Sequence, residues 1–255
     1  MTLAEHLREL RARLIRIVIV VTVGAAVGWW LYEPVLELLK APYCELSRAY
    51  RPPSEDTCAL IITRPLEGFS VRVKISLVIG LFLAAPFVVH QIWGFIVPGL
   101  TSRERRYTLP FVAMSQVMFT VGAGFAYLII PKGLAILIGL GGDQITPVLT
   151  AGEYFSFILT TVLAFALVFE VPLVIILLGA VGVVSAARLR RWRPYAIVIN
   201  FAVAALVTPT VDVVTMLLMA APMVVLYEAS ILVIWLLERA RRRRAATSLE
   251  GGTPA

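Results

Sequence analysis

Three carboxylates have surroundings that suit binding or proton chemistry. Glu170 lies in the run LAFALVFEVPLVIILLGA, residues 163–180, in which no other side chain is charged. Glu9 lies in the N-terminal segment TLAEHLRELRARL, and Glu104 lies in the polar stretch TSRERRY. A surface carboxylate can accept the planar fork of an arginine, whereas an acid in an apolar run marks an ion path or a polar pocket. The residue types therefore indicate cation recognition at Glu9 and Glu104 and a separate polar site at Glu170.

The two acids outside the apolar run also have structural explanations. Glu9 stands four residues before Arg13, a spacing at which side chains on a helix pair. Thr101 and Glu104 have the spacing of a capping box, which starts a helix and needs no ligand. The residues alone leave the structural and the functional explanation open for both acids.

Pro172 bears on the state of Glu170. A proline has no N–H to offer the carbonyl of Val168, so a bend is expected next to the acid. A charged acid that faced lipid would be costly. Glu170 is therefore expected to face a cavity or a partner, or to be a neutral acid hydrogen-bonded across the kink.

The elements that must position these acids are membrane spans. The chain is 60% hydrophobic and 15% charged, with a mean hydropathy of +0.89, which excludes a soluble domain of 255 residues. Apolar stretches separated by charged or Pro-rich breaks predict an all-α membrane protein with six transmembrane helices in one domain over residues 1–238. The predicted elements are an amphipathic helix at 2–13, spans near 14–31, 75–96, 107–130, 154–184, 194–207 and 213–237, and a basic, disordered tail at 239–255.

Basic residues predict the orientation of these spans. Arginines concentrate before the first span, in the second and fourth connections and after the last span, which places both termini in the cytoplasm. The net charge of +7 is thus a topology signal, and no soluble basic domain is present that would indicate nucleic-acid binding. Span five has about 14 residues, or about 21 Å of helix, and is predicted to be short; span six is predicted to be short as well.

The search for catalytic motifs indicates a protein that is not an enzyme. The sequence has neither HExxH nor GxSG, and its only histidines are His6 and His90, so the residues that a metalloprotease or a rhomboid-like serine protease needs are missing. No cofactor is expected. Cys44 and Cys58 both fall in the first external loop, where an oxidising compartment would allow a disulfide, although two free thiols are equally compatible with the loop.

Three motifs resemble those of TatC, the largest subunit of the twin-arginine protein translocase. They are HLxELRxRL at 6–14, FxxPxLxxxERR at 95–106 and FExP at 169–172. The likeness continues through RPY at 193–195 and the segment 212–228. It covers nearly the whole chain apart from the C-terminal tail.

The resemblance implies a receptor for signal peptides with consecutive arginines, which transports folded proteins by using the proton-motive force. It implies six spans with a concave intramembrane face, a bacterial inner membrane, TatA-like and TatB-like single-span partners, and self-association in a larger complex. Glu9 and Glu104 would accept the twin arginines. The surface around them would be shaped by Arg11, Phe95, Pro98, Leu100 and Arg105, while Glu170 and Pro172 would belong to a polar pocket within the bilayer.

A proton-coupled transporter of small solutes is the alternative, with Glu170 as the coupling group. Such transporters usually contain repeated halves with broken helices. No convincing repeat relates the first three spans to the last three, so the sequence favours the translocase.

Overall fold

The computed structural model describes residues 3–44, 60–96, 108–139, 149–207 and 213–250. Within these ranges every regular element is an α-helix, and the β-type pairing is limited to one bridge between Ile61 and Thr150. The helices are α1 (Leu3–Trp30), α2 (Tyr32–Cys44), α3 (Glu67–Ile96), α4 (Thr108–Gly139), α5 (Ala151–Val168), α6 (Glu170–Val181), α7 (Ala186–Val207) and α8 (Val213–Glu250). The predicted all-α class is confirmed.

Four stretches of the described chain are long and apolar enough to cross a bilayer. They are Glu67–Ile92, Leu109–Ile136, Ala151–Val181 and Met216–Arg243. The helices α1 and α2 meet at 78° and together form a fifth candidate. The six spans and the placement of both termini in the cytoplasm stay predictions.

Several helix bounds differ from those that the sequence pattern predicts. The amphipathic segment and the first span form one unbroken helix, α1, and α2 occupies a stretch interpreted as loop. Helix α4 continues through Pro131, because a transmembrane helix can tolerate a proline whose freed carbonyl is satisfied by its surroundings. Helix α8 reaches Glu250, whereas the sequence predicts disorder from residue 239; this segment consists largely of Arg, Ala, Leu and Glu, which favour helix.

The N-terminal unit, Met1–Ala166, is built on the crossing of α1 and α3. A Cβ atom added to Gly80 would lie 2.4 Å from the backbone nitrogen of Ala25, and one added to Gly28 would lie 2.5 Å from the carbonyl oxygen of Ser76. The two backbones are therefore in direct contact. Gly24 and Gly28 have the spacing that permits such an approach between membrane helices.

Helix α2 is held to α4 and α5 by two tyrosines. The Tyr154 hydroxyl donates to the carbonyl of Leu39, and the Tyr127 hydroxyl donates to the carbonyl of Leu38, each at 2.9 Å. The second bond has a local reason, because Pro42 has no N–H for the carbonyl four residues before it. Tyr127 supplies the donor that the α2 backbone lacks.

Glu67 joins the beginnings of α3 and α5. Its Oε1 accepts the backbone N–H of Gly152 at 2.6 Å, and its Oε2 accepts the backbone N–H groups of Thr63 at 2.9 Å and Arg64 at 3.2 Å. The backbone N–H groups at the beginning of a helix have no partner within that helix, and Glu67 supplies an acceptor for them. One carboxylate thereby fixes two connections next to each other.

The C-terminal unit, Leu167–Ala255, contains α6, α7 and α8. Ile234 packs against Gly179 so closely that a Cβ atom there would lie 2.6 Å from its side chain. Helix α6 ends at Gly182, which adopts a φ of 87°, a conformation that suits glycine. Glu238 of α8 accepts the backbone N–H of Ala186 at 3.0 Å, and Arg241 donates to the carbonyl of Ala180. Helix α8 thus caps both ends of the α6–α7 turn.

Candidate functional site

Glu9 forms an ion pair with Arg13 on one face of α1. The Arg13 guanidinium donates from its Nε at 3.0 Å and from its NH2 at 2.6 Å, and both bonds go to Oε1 of Glu9. The pair predicted from the spacing of four residues is confirmed. Its charge-assisted bonds set the direction of the carboxylate.

The same guanidinium reaches across to α3. Its NH1 donates to the carbonyl oxygen of Gln91 at 3.1 Å and to the side-chain Oε1 of Gln91 at 3.3 Å. Gln91 is only 8% exposed, so the contact anchors the beginning of α1 on a buried part of α3. Glu9 is therefore held in a fixed place beside the last turns of α3.

One oxygen of Glu9 remains able to accept hydrogen bonds. Its Oε2 has no hydrogen-bond partner among the residues that the structure describes, and 27% of the side chain is exposed. Arg11 is exposed and lies two residues along the same helix. The geometry permits a second guanidinium to reach Glu9 without displacing Arg13.

The remaining residues of this predicted site lie at or beyond the limit of the described chain. Phe95 belongs to the last turn of α3, whereas Pro98, Leu100, Glu104 and Arg105 lie outside the described residues. Helix α3 ends at Ile96, about 8 Å along the helix from Gln91. The described part of α3 thus ends near the anchored Glu9, and the meeting of Glu9 with Glu104 stays a prediction.

Glu170 is the first residue of α6. Helix α5 ends at Val168, so the interruption expected beside Pro172 falls at Phe169. Glu170 is half-buried and its Oε1 is shielded from solvent. Pro172 is buried, and its carbonyl oxygen lies 3.5 Å from the Ser230 hydroxyl of α8, which donates to the carbonyl of Leu226 at 2.8 Å. The role of Glu170 and Pro172 in a polar pocket stays a prediction.

The cysteines are divided between described and undescribed residues. Cys44 is the last residue of α2, whereas Cys58 lies outside the described chain. Their disulfide stays a prediction. In the described ranges no three side chains of the His, Cys, Asp or Glu type are grouped to hold a metal ion.

Two polar contacts were not predicted from the sequence. Gln91 anchors the Glu9–Arg13 pair, as described above, and Arg193 of α7 donates to Oε2 of Glu228 in α8 at 2.6 Å. Both partners of the second contact lie in segments that carry the resemblance, RPY and 212–228. The resemblance of these two segments to the family marked them as candidates, but it gave no information on which of their residues are in contact.

Comparison with known proteins gives a family and a fold. Residues 5–222 match the family "Sec-independent protein translocase protein (TatC)". The chain is 42% identical to the protein of that name from Frankia casuarinae, over 97% of this chain and 69% of the relative. It is 40% identical to the Aquifex aeolicus protein, over 91% and 93%. A crystal structure of "Twin Arginine Translocase Receptor- TatC in DDM" superposes with a TM-score of 0.77 and 39% identity, covering 89% of this chain and 98% of that one.

Proposed function

This chain belongs to the Sec-independent protein translocase protein (TatC) family, and we propose that it is the signal-peptide receptor of a twin-arginine protein translocase. It binds peptides that bear consecutive arginines and takes part in moving folded proteins across the membrane, driven by the proton-motive force. The observation that carries the proposal is the family match over residues 5–222, which includes the segments of Glu9, Glu104 and Glu170. The function is one of binding and transport, without a catalytic step.

The geometry at Glu9 supports recognition of arginine. Arg13 uses Oε1 and leaves Oε2 to accept from a peptide guanidinium. A guanidinium offers five N–H donors in a planar fork, which lysine lacks. The anchoring of Arg13 on Gln91 holds this acceptor still, which reduces the entropy lost when the peptide binds.

The receptor surface of this proposal combines α1 with the connection after α3. Glu9 and Glu104 each accept one arginine of the pair. The residues that shape the surface around them are Arg11, Phe95, Pro98, Leu100 and Arg105. Two acids for two arginines give a complementary charge and a fixed spacing.

Glu170 and Pro172 serve transport in this proposal, at an intramembrane polar pocket on a concave face. An acid within a membrane span is costly unless it has a functional or structural partner, and the helix break at Phe169 supplies irregular backbone beside it. The pocket is distinct from the arginine-reading surface. Loss of Glu170 should therefore affect transport more than peptide binding.

The proposed setting is a bacterial cytoplasmic membrane with both termini in the cytoplasm. TatA-like and TatB-like single-span subunits, signal peptides of folded cargo, the bilayer and further copies of this chain are the proposed partners. The family match removes the reason to prefer a small-solute transporter.

Binding of a twin-arginine signal peptide to the purified protein tests the receptor role. We expect Glu9→Ala and Glu104→Ala each to weaken binding by about tenfold, the size of one charge-assisted contact. A twin-lysine peptide should bind the wild-type protein less tightly. Arg16→Ala is a suitable control, because Arg16 is an exposed cation of α1 without a polar contact in the described chain.

Unchanged affinity in all three comparisons would refute the assigned site. Glu170→Ala separates the two roles: peptide affinity should stay near the wild-type value while transport into vesicles or cells falls. Equal loss of binding and transport would contradict the separate pocket.

A further inference from the structure

An apolar groove opens where the end of α1 crosses the beginning of α3. Its volume is about 420 Å³. The residues that line it include Ala25, Ala26, Trp29, Trp30, Ser76 and Leu77. Trp30 is 86% exposed, so the groove faces the surroundings of the N-terminal unit. In a bilayer such a groove receives hydrocarbon.

Ser76 lies beneath this groove. The residue is only 3% exposed, and its Oγ is closed off from the surroundings, without a hydrogen-bond partner among the described residues. The surface that the groove offers to a ligand is therefore apolar.

Arg72 lies one helical turn before Ser76 on the same face of α3. Its guanidinium carbon is 4.5 Å from the centre of the Trp29 ring and 4.8 Å from that of Tyr32. The guanidinium makes one long hydrogen bond, of 3.5 Å, to the carbonyl of Trp29, and it has no carboxylate partner in the described chain. Its full positive charge is thus held by two aromatic faces and is not neutralised.

The positions of these groups match the parts of one ligand. Trp29, Trp30 and Tyr32 form an aromatic cluster of the kind found at the level of lipid headgroups. A glycerophospholipid carries an anionic phosphate and, a few bonds away, an acyl chain. Arg72 and the apolar groove, which includes the adjacent Val73, present a cation and a hydrocarbon surface in the same order.

We propose that this groove is a binding site for one anionic phospholipid, with the phosphate on Arg72 and an acyl chain in the groove over the crossing of α1 and α3. A transmembrane helix from a partner or a second copy would fill the apolar part but would bring no anion to Arg72. Charge complementarity therefore assigns the groove to lipid.

Photo-crosslinking tests this site in the intact protein. The protein is placed in nanodiscs of phosphatidylcholine that contain a small fraction of phosphatidylglycerol with a diazirine on its acyl chain. After irradiation, peptide mass spectrometry locates the adducts. We expect them to concentrate on the groove residues Ala26, Trp30 and Leu77 for the phosphatidylglycerol probe, with much lower yield for a phosphatidylcholine probe of the same chain.

Two variants separate the headgroup from the chain. Arg72→Gln should lower the groove adducts of the phosphatidylglycerol probe by about tenfold without changing those of the phosphatidylcholine probe. Ala26→Phe fills the groove from an exposed position and should lower both. Lys74→Gln is the matched control: it removes the same charge from a lysine bonded to Ser156 at 2.7 Å, and it should leave the groove adducts near the wild-type yield.

Equal adducts from the two probes in the wild-type protein would overturn the proposal, as would a pattern unaffected by both Arg72→Gln and Ala26→Phe. Adducts on other faces only, with none in the groove, would show that a helix covers it and would overturn the proposal as well. Circular dichroism and thermal unfolding verify that each variant is folded.

Discussion

Arg13 and Gln91 are separated by 78 positions in the chain, yet the Arg13 guanidinium donates to both the backbone and the side-chain oxygen of Gln91, at 3.1 and 3.3 Å. The same guanidinium holds Glu9 at 2.6 Å. Arg13 is therefore the positioning residue of the proposed receptor surface. It joins the beginning of α1 to the end of α3.

Arg13→Gln should loosen the first turns of α1. The substitution removes charge-assisted bonds to a buried partner, which are worth about 1.5 kcal/mol or more, so amide hydrogens within residues 3–13 should exchange about tenfold faster. Hydrogen exchange with mass spectrometry measures this. Arg16→Gln removes an exposed arginine of the same helix, which makes no polar contact in the described chain, and should have little effect. Equal acceleration by both substitutions would show that Arg13 does not anchor α1.

Gly80→Ala should destabilise the N-terminal unit. The new Cβ would lie 2.4 Å from the backbone nitrogen of Ala25, and only a shift of a whole helix relieves a clash with backbone. Overpacking of this kind costs about 1–3 kcal/mol, which thermal unfolding in detergent detects. Gly124→Ala is the control, because an added Cβ there meets no described atom within 4 Å and alanine favours helix by about 1 kcal/mol. A Gly80→Ala protein as stable as Gly124→Ala would contradict the close crossing.

The features that the sequence predicted correctly depend on neighbours along one helix. The Glu9–Arg13 pair follows from a spacing of four residues, and the helix break near Glu170 follows from Pro172. The all-α class follows from hydropathy. A bilayer core supplies no water to hydrogen-bond the backbone, and an α-helix pairs its backbone N–H and C=O groups within one segment. Each of these is decided by local chemistry.

The features that it did not predict depend on contacts between distant segments. The anchor at Gln91 and the pairing of Arg193 with Glu228 need the relative placement of two helices, which one sequence does not contain. Helix α2 was missed for another reason: at 13 residues with an internal proline it is too short for a span, and it is secured by Tyr127 and Tyr154 from other helices. Glu104 lies outside the described residues, so its place rests on the motif.

The ion pair of Arg193 and Glu228 should contribute little to stability. The side chains are 46% and 43% exposed, and double-mutant cycles on exposed pairs typically give less than about 1 kcal/mol. We expect the cycle of Arg193→Gln and Glu228→Gln to give a coupling free energy in that range, measured by thermal unfolding of the four proteins. A coupling of about 3 kcal/mol would indicate that the pair is desolvated by lipid or by a partner.

Tyr127→Phe should destabilise α2 because it removes the hydrogen bond to the carbonyl of Leu38. Without the Tyr127 hydroxyl, the Leu38 carbonyl loses the donor that replaces the missing N–H of Pro42. We expect a cost of about 1 kcal/mol, seen as a lower midpoint of thermal unfolding. Tyr154→Phe differs in kind: it removes a hydroxyl from a fully buried ring, but the residue four positions after Leu39 is Tyr43, which has the backbone N–H that Pro42 lacks.

A double-mutant cycle with Pro42→Ala identifies the cause. Alanine at this position restores the N–H for the Leu38 carbonyl, so Tyr127→Phe should cost less in the Pro42→Ala background than in the wild-type protein. The cavity left by the proline ring is present in both proteins that carry Pro42→Ala, with Tyr127 or with Phe at position 127, so its cost cancels in the cycle. For Tyr154→Phe the cost should be the same in both backgrounds. If Pro42→Ala leaves the cost of Tyr127→Phe unchanged, the hydroxyl of Tyr127 does not compensate for the proline.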